Sequence, residues 1–182
     1  MSGITRESKH MAGEYVSYDG RALANFLLDY ADGRKMKVSL LALMKIIYYA
    51  HGWYLAKFGH PLVRQPFEAW QHGPVVRIVW DAFRGNRKKH LTSRAERLDV
   101  LTNQRAIVEY RDVTSEVADF LRDIFDAYSK IHAVELSNMT HANGSPWDAV
   151  WNDPSGSIKI GMQISNDLIR DWFSNRRVSM LH

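Results

Sequence analysis

The sequence predicts a single compact, mainly α-helical domain, built round a central buried helix and containing minor short β-strands. Three observations predict this fold. Apolar residues recur at helical spacing in several segments of the 182-residue chain. Capping residues and helix-ending glycines flank those segments. Extended segments are few and short. Since 46% of the residues are hydrophobic, the chain can bury a sizeable core.

Two helices are predicted in the first third of the chain. Asp19 is an N-cap residue for a first helix, whose apolar residues recur at i, i+3, i+4 and i+7 and which is expected to end at Gly33. Ser39 begins a second helix that runs to Gly59. Because this second helix is apolar nearly all round, it is predicted to be the central, largely buried helix.

The middle of the chain predicts one extended segment, a third helix and an excursion. Residues 66–70 are aromatic and extended in character. Pro74 stands where a helix favours proline at its first position, so a third helix is expected from Pro74 to Gly85. The weak pattern at residues 86–112 indicates a segment outside the predicted helices that contains a short hairpin, and we call this segment the excursion.

Five elements are predicted in the last third of the chain. Thr114 caps a fourth helix, and a short helix follows at residues 133–139. Pro146 opens another brief helix, since proline is favoured at the first helical position. Residues 157–160 favour a short strand, and Ser165 caps the last helix.

Composition and the distribution of apolar residues indicate the compartment and the extent of the domain. The chain has no cysteine, which excludes disulfides, thiolate nucleophiles and cysteine zinc sites. No segment approaches the roughly 20 apolar residues of a membrane span, and no signal peptide is visible. We therefore expect a cytoplasmic protein with no membrane partner. The domain is expected at residues 19–176, after a flexible lead at residues 1–18 and before a tail at residues 177–182.

The sequence contains no recognisable catalytic or metal-binding pattern. None of the eight histidines belongs to a His-Glu-x-x-His pair, and no nucleophile elbow or glycine-rich phosphate loop occurs. We therefore expect no catalytic residue, no metal and no cofactor, and a protein that is not an enzyme.

Glu68 is the carboxylate in the most apolar setting. A buried carboxylate needs a partner, and the candidates are Arg77, Lys45 and His72. A structural ion pair is the expected role and a general base the alternative. An enzymatic hypothesis would need a cleft that holds Glu68, His72 and His141 together.

A basic stretch at residues 84–97 is the clearest electrostatic feature of a chain whose net charge is +4. Such stretches are usually solvated loops, and no aromatic residues interleave with this one as in single-strand binding. Its functional interpretation is docking to phosphates or to an acidic protein surface. The candidate partner-binding residues are Arg84, Arg87, Lys88 and Lys89. A nucleic-acid-binding regulator is therefore the alternative function, less favoured than a protein partner.

Two segments place aromatics, glycines and a proline at fixed offsets. Residues 45–53 read KIIYYAHGW and residues 68–76 read EAWQHGPVV. Two further motifs follow, LSNMTH with SPW at residues 136–147 and a terminal Ile-to-Phe helix at residues 164–173. In this order the motifs resemble the "QKLLYYAQGW", "EAWxxGPVV", "LSxxTH…SPW" and closing helix of the Panacea domain, also known as the SocA-like antitoxin or phage-associated GepA-like domain.

The resemblance implies an antitoxin, a domain that neutralises a cognate protein toxin by forming a complex with it. In one branch of the family the antitoxin is a proteolytic adaptor that delivers its toxin to the ClpXP protease. The family is paired with toxins of unrelated kinds, so neither the toxin nor the oligomeric state of this chain follows from the resemblance. Met44 replaces the usual glutamine, and the basic stretch is unlike the typical loop.

Thirteen residues carry the family motifs, and we call them the fingerprint residues. They are expected to be mainly structural, because glycine and proline at fixed positions are best explained by backbone geometry. Toxin contacts are expected on surfaces outside the fingerprint. The fingerprint residues are Lys45, Tyr48, Tyr49, Gly52, Trp53, Glu68, Trp70, Gly73, Pro74, Val75, His141, Pro146 and Trp147.

Overall fold

The computed structural model describes residues 15–86, 90–153 and 160–179. These residues form seven α-helices and five short strands, which confirms a mainly α fold with minor β-structure. The helices are α1 (Gly20–Gly33), α2 (Leu40–Phe58), α3 (Arg77–Phe83), α4 (Ser115–Tyr128), α5 (Ala133–Thr140), α6 (Pro146–Trp151) and α7 (Asn166–Ser179). The strands are β1 (Phe67–Trp70), β2 (Gly73–Val75), β3 (Glu96–Asp99), β4 (Gln104–Ile107) and β5 (Gln163–Ile164).

Helix starts follow the predicted caps. The side chains of the predicted caps Asp19, Ser39, Thr114 and Ser165, and that of Ser145 before Pro146, each accept a hydrogen bond from a backbone N–H in the first turn of the helix that follows. Each bond satisfies one of the N–H groups that a helix start leaves without an intrahelical partner.

Helix α2 ends where predicted, at Gly59, which adopts φ +77°. This left-handed conformation is readily available to glycine. Thirteen of the nineteen residues of α2 are buried, and the helix packs against α1, α3, α4, α5, α7 and β2. Within the described residues, no helix is long and apolar enough to span a bilayer.

Two small antiparallel sheets complete the fold. Strand β1 lies between β2 and β5, with Glu68 opposite Val75 and Phe67 opposite Ile164. The second sheet is the hairpin β3–β4, which falls within the predicted excursion and whose strand residues are all exposed.

The prediction for Pro74 is wrong. Pro74 lies in β2, opposite Ala69, and α3 begins only at Arg77. The turn at residues 71–72 and the positive φ of Gly73, +95°, bring the chain back along β1, so Pro74 continues a strand. Its missing N–H is tolerated because β2 is an edge strand.

Other predicted boundaries differ in part from the structure or lie outside the described residues. Helix α1 ends at Gly33, as predicted, and Arg34 is its C-cap residue. Helix α3 ends at Phe83 instead of Gly85, and a 3₁₀ turn follows. Of the strand predicted at residues 157–160, the first three residues lie outside the described ranges and Ile160 begins a 3₁₀ turn. Most of the predicted lead and residues 180–182 of the predicted tail also lie outside those ranges.

Candidate functional site

Lys45 places an amine inside the apolar helix α2. The residue is only 1% exposed, and its Nζ donates a hydrogen bond to the Pro74 carbonyl at 3.0 Å. No described carboxylate lies within ion-pair distance of this amine. Burial lowers the pKa of Lys45 to about 7, because the interior disfavours the charged form.

Gly73 allows the β1–β2 turn to approach the amine. A Cβ atom at this position would stand 2.7 Å from Lys45 Nζ and closer still to Thr140 Oγ1. The φ of +95° is also one that residues with a side chain rarely adopt. Glycine is therefore required here by both conformation and space.

Helices α5 and α6 hold the turn from the other side. Ser137 Oγ donates to the His72 carbonyl at 2.8 Å, and Trp147 Nε1 donates to the Trp70 carbonyl at 2.7 Å. Ser145 Oγ, at the start of α6, donates to the Thr140 carbonyl at 2.8 Å. The later family motifs thus tie α5 and α6 to the turn between the earlier ones.

A pocket of about 430 Å³ opens beside Lys45, and we call it the Lys45 pocket. Its walls come from α2, the β1–β2 turn and α3. Trp70 and Trp80 meet edge to face, with ring centroids 5.5 Å apart. The lining is mainly apolar, which is typical of small-ligand and anchor sites. The lining residues are Leu40, Leu41, Met44, Lys45, Trp70, Gln71, His72, Val75 and Trp80.

Glu68 forms the predicted ion pair with Arg77. The guanidinium donates from Nε to Oε1 at 3.0 Å and from its terminal nitrogen to Oε2 at 2.7 Å, and Trp70 Nε1 also donates to Oε2. Such a two-pronged pair compensates a buried carboxylate. Its oxygens are engaged in structural bonds, so Glu68 is not placed as a general base.

His141 caps the C-terminus of α5, with its ring 3.9 Å from that of Trp147. Burial and the positive charges of Lys45 and His72 lower the pKa of His141. Its Nε2 is buried without a hydrogen-bond partner among the described residues. His141 thus lies close to His72 and Lys45, whereas Glu68 is bound to Arg77 instead of completing a catalytic set. No group of metal-ligating side chains occurs in the described ranges.

Most of the remaining fingerprint residues lie on α2 and pack against Phe173 of α7. The rings of Tyr48, Tyr49 and Trp53 lie 5.0 to 6.0 Å from that of Phe173. A Cβ atom on Gly52 would come within 2.5 Å of Phe173 Cζ and closer to two other ring atoms. Pro146 is the first residue of α6, and Val75 is buried in β2.

The basic stretch is only partly described. Arg84 is exposed and lies 3.9 Å from Asp81, whereas Arg87, Lys88 and Lys89 lie outside the described residues. Arg94 is mostly buried and pairs with Asp29 and Asp32 of α1. Arg94 thus has a structural role in joining the excursion to α1.

Several pocket residues were not identified from the sequence. Leu41, Gln71 and Trp80 line the pocket, and Thr140 lies beside the amine, yet none belongs to the predicted site. The available signal was Lys45 itself, a lysine within an otherwise apolar helix. It predicts a buried amine, but it does not identify the segments that fold against it.

His51 should make the domain sensitive to acid. Its Nδ1 accepts the Val63 N–H at 3.1 Å, so its Nε2 carries the hydrogen that bonds Asn166 Oδ1 at 2.9 Å. A second proton would remove the acceptor for Val63. Burial lowers the pKa of His51 from 6.5 to about 4. The unfolded chain binds the extra proton first, so the free energy of unfolding should fall as pH falls from about 6.5 to about 4, by about 3 kcal/mol.

Urea unfolding of the wild type and His51→Gln at pH 7 and pH 4.5 measures this effect. The variant should be less stable at pH 7 and should show a weaker fall toward acid. His90→Gln, at an exposed position, is the matched control and should leave the pH dependence unchanged. Equal pH dependence in the wild type and His51→Gln would contradict the assignment.

Comparisons with known proteins show two similarities. The family model described as "Antitoxin SocA-like, Panacea domain" matches residues 43–148. The curated protein "Antitoxin SocA" of Caulobacter vibrioides (strain NA1000 / CB15N) is 36% identical over 165 residues, covering 90% of this chain and 87% of that protein. No solved structure matches the chain. These findings confirm the resemblance predicted from the motifs.

Proposed function

Since this chain belongs to the SocA-like Panacea domain family, we propose that it is an antitoxin that neutralises a cognate toxin by direct protein–protein binding. The observation that carries the proposal is the similarity to Antitoxin SocA, which extends over 87% of that protein. A relationship of this extent favours a shared overall role and leaves the toxin unspecified.

The geometry supports a binding role over a catalytic one. Glu68 is held by Arg77 in a structural ion pair, and no metal-ligating group occurs among the described residues. We regard α2 as the central element of a rigid scaffold, because it packs against five other helices and one strand. Such a scaffold can present a binding surface with little loss of conformational entropy on association. We place the protein in the cytoplasm and its domain at residues 19–176.

Co-expression tests the proposal. The product of the neighbouring gene is the candidate toxin, because the family resemblance implies that the pair is encoded together. Induced alone, this product should arrest growth, and induced with the present chain it should not. A product that is harmless alone and does not co-purify with the chain would refute the proposal.

Delivery of the toxin to ClpXP is a finer version of the same function, and it rests on the resemblance alone. It predicts that toxin levels rise in cells that lack the protease while the antitoxin is present. Simple sequestration predicts unchanged toxin levels. Following toxin abundance after protein synthesis is stopped, with and without the protease, separates the two mechanisms.

The nucleic-acid alternative has weaker support. Arg94 is engaged with α1, and Arg84 lies near Asp81. Binding through the remaining basic residues would weaken steeply with salt. No shift of duplex DNA or RNA at about 50 mM salt, where electrostatic binding is strong, would exclude this alternative.

A further inference from the structure

The Lys45 pocket combines an apolar lining with an amine that the fold leaves incompletely bonded. Lys45 has three N–H donors and one acceptor among the described residues, the Pro74 carbonyl. Burial of an amine without a carboxylate is costly, and an apolar residue of similar length would avoid the cost. The fold therefore maintains a cationic group beside an apolar cavity at the expense of stability, which is typical of a binding site.

We propose that the Lys45 pocket binds the C-terminal residue of a partner polypeptide, with the terminal carboxylate on Lys45 and a large apolar side chain against Trp70 and Trp80. The proposal rests on the antitoxin function for the identity of the partner, which would be the toxin. It places a toxin contact on the fingerprint residues Lys45 and Trp70, whereas the sequence predicts such contacts outside the fingerprint. The chemistry of the pocket does not depend on that identity.

Charge complementarity favours a carboxylate. The pocket lining contains two titratable side chains, Lys45 and His72, and neither of them carries a negative charge. The nearby carboxylate of Glu68 is neutralised by Arg77. An anion that entered the pocket would therefore meet a positive potential, and it would supply acceptors for the remaining Lys45 donors.

Shape favours a chain end over a passing chain. The volume of about 430 Å³ falls at the lower end of the range of roughly 300–1,000 Å³ for ligand pockets. A segment that entered and left would bury two stretches of backbone, whose N–H and C=O groups would find few partners among Leu40, Met44 and Val75. A C-terminal residue buries one stretch and carries its carboxylate and its side chain on the same carbon.

The test uses two small probes that differ in a single group. N-acetyl-L-phenylalanine represents an apolar C-terminal residue, and N-acetyl-L-phenylalaninamide lacks only its charge. Titrations at pH 6.5, followed by NMR of the tryptophan indole N–H signals, should show the acid binding at least tenfold more tightly than the amide. The signals of Trp70 and Trp80 should shift, whereas that of Trp53, which donates to Tyr128, should not.

Two variants connect the preference to the amine. Lys45→Met should bring the two affinities within twofold of each other, with its folding checked by thermal unfolding. Lys57→Met, at an exposed residue of the same helix outside the pocket lining, should leave the tenfold preference intact.

Three outcomes would overturn the proposal. Equal affinity of the wild type for the acid and the amide would show that Lys45 does not bind the carboxylate. This result does not depend on any variant. Shifts confined to other tryptophans would place the ligand elsewhere. Equally tight binding of N-acetyl-Asp-Phe-amide, whose carboxylate is on a side chain, would show that the pocket recognises an internal acidic residue and not a chain end. None of these outcomes bears on growth rescue by co-expression, so the antitoxin function and the pocket fail separately.

Discussion

The Gly52→Ala substitution is expected to destabilise the domain by about 3–4 kcal/mol. A Cβ atom at position 52 would come within 2.5 Å of Phe173 Cζ, on the α2 face that packs against α7. Phe173 is buried among Tyr48, Tyr49 and Trp53, so its ring has little room to move away. Displacing the ring to accommodate the methyl group would therefore cost much of the free energy that burial of Phe173 contributes to folding.

Helix propensity acts in the opposite direction. Alanine is favoured over glycine inside a helix by roughly 0.5–1 kcal/mol, so the observed loss is the clash minus this gain. Gly33→Ala is the matched control, because a Cβ atom at Gly33 in α1 meets nothing within 4 Å. This control should leave stability unchanged or raise it slightly.

Urea unfolding of a double-mutant cycle measures the clash. Phe173→Ala alone should cost about 3–5 kcal/mol, and Gly52→Ala in that background should add little, since the added methyl enters the space that the ring has left. Equal losses from Gly52→Ala in the two backgrounds would show that the destabilisation does not come from Phe173.

The Lys45→Met substitution is expected to stabilise the domain below pH 7 and to remove a pH dependence of about 4 kcal/mol between pH 7 and pH 10. Burial lowers the pKa of Lys45 to about 7 in the folded protein, from an ordinary value of 10.5. Between these values the unfolded chain binds one proton more than the folded one, so wild-type stability rises by about 1.4 kcal/mol per pH unit. Methionine carries no charge and removes this rise.

The measurement is the free energy of unfolding of both proteins at pH 6, 8 and 10. At pH 6 the variant should be more stable by about 2–3 kcal/mol, because loss of the bond to the Pro74 carbonyl offsets part of the gain. Lys57→Met, at an exposed position of the same helix, is the control and should change stability by less than about 0.5 kcal/mol.

A variant that is less stable at every pH would contradict this account. It would mean that the amine contributes more through its bond to Pro74 than it loses through burial. A stabilised variant that lost the carboxylate preference of the Lys45 pocket would instead indicate that Lys45 is retained for binding.

Local signals in the sequence predicted most helices. Asp19, Ser39, Thr114 and Ser165 are caps in the structure because the bonds that define a cap span only two or three residues. Pro74 was misassigned because proline is favourable both at a helix start and on an edge strand. The choice is made by Gly73 and by pairing with β1, which depend on the chain folding back.

The site was less predictable than the fold. Glu68 and Arg77 are nine residues apart, and Arg77 was one of the three partners that the sequence suggested for Glu68. The Lys45 pocket, by contrast, is formed by α2, the β1–β2 turn and α3, and it is supported by α5, nearly 100 residues further along the chain. No local pattern encodes such a meeting. The four sequence motifs nevertheless predicted the family, because they occur in the family's order along the chain.

The central claim is that this chain neutralises a toxin by binding it directly. The most direct measurement mixes the purified chain with the purified product of the neighbouring gene and follows the mixture by size-exclusion chromatography with light scattering. The account predicts a complex whose mass is the sum of both proteins and in which toxin activity is lost at equimolar ratio. Separate elution of the two proteins, with toxin activity unchanged by an excess of this chain, would contradict it.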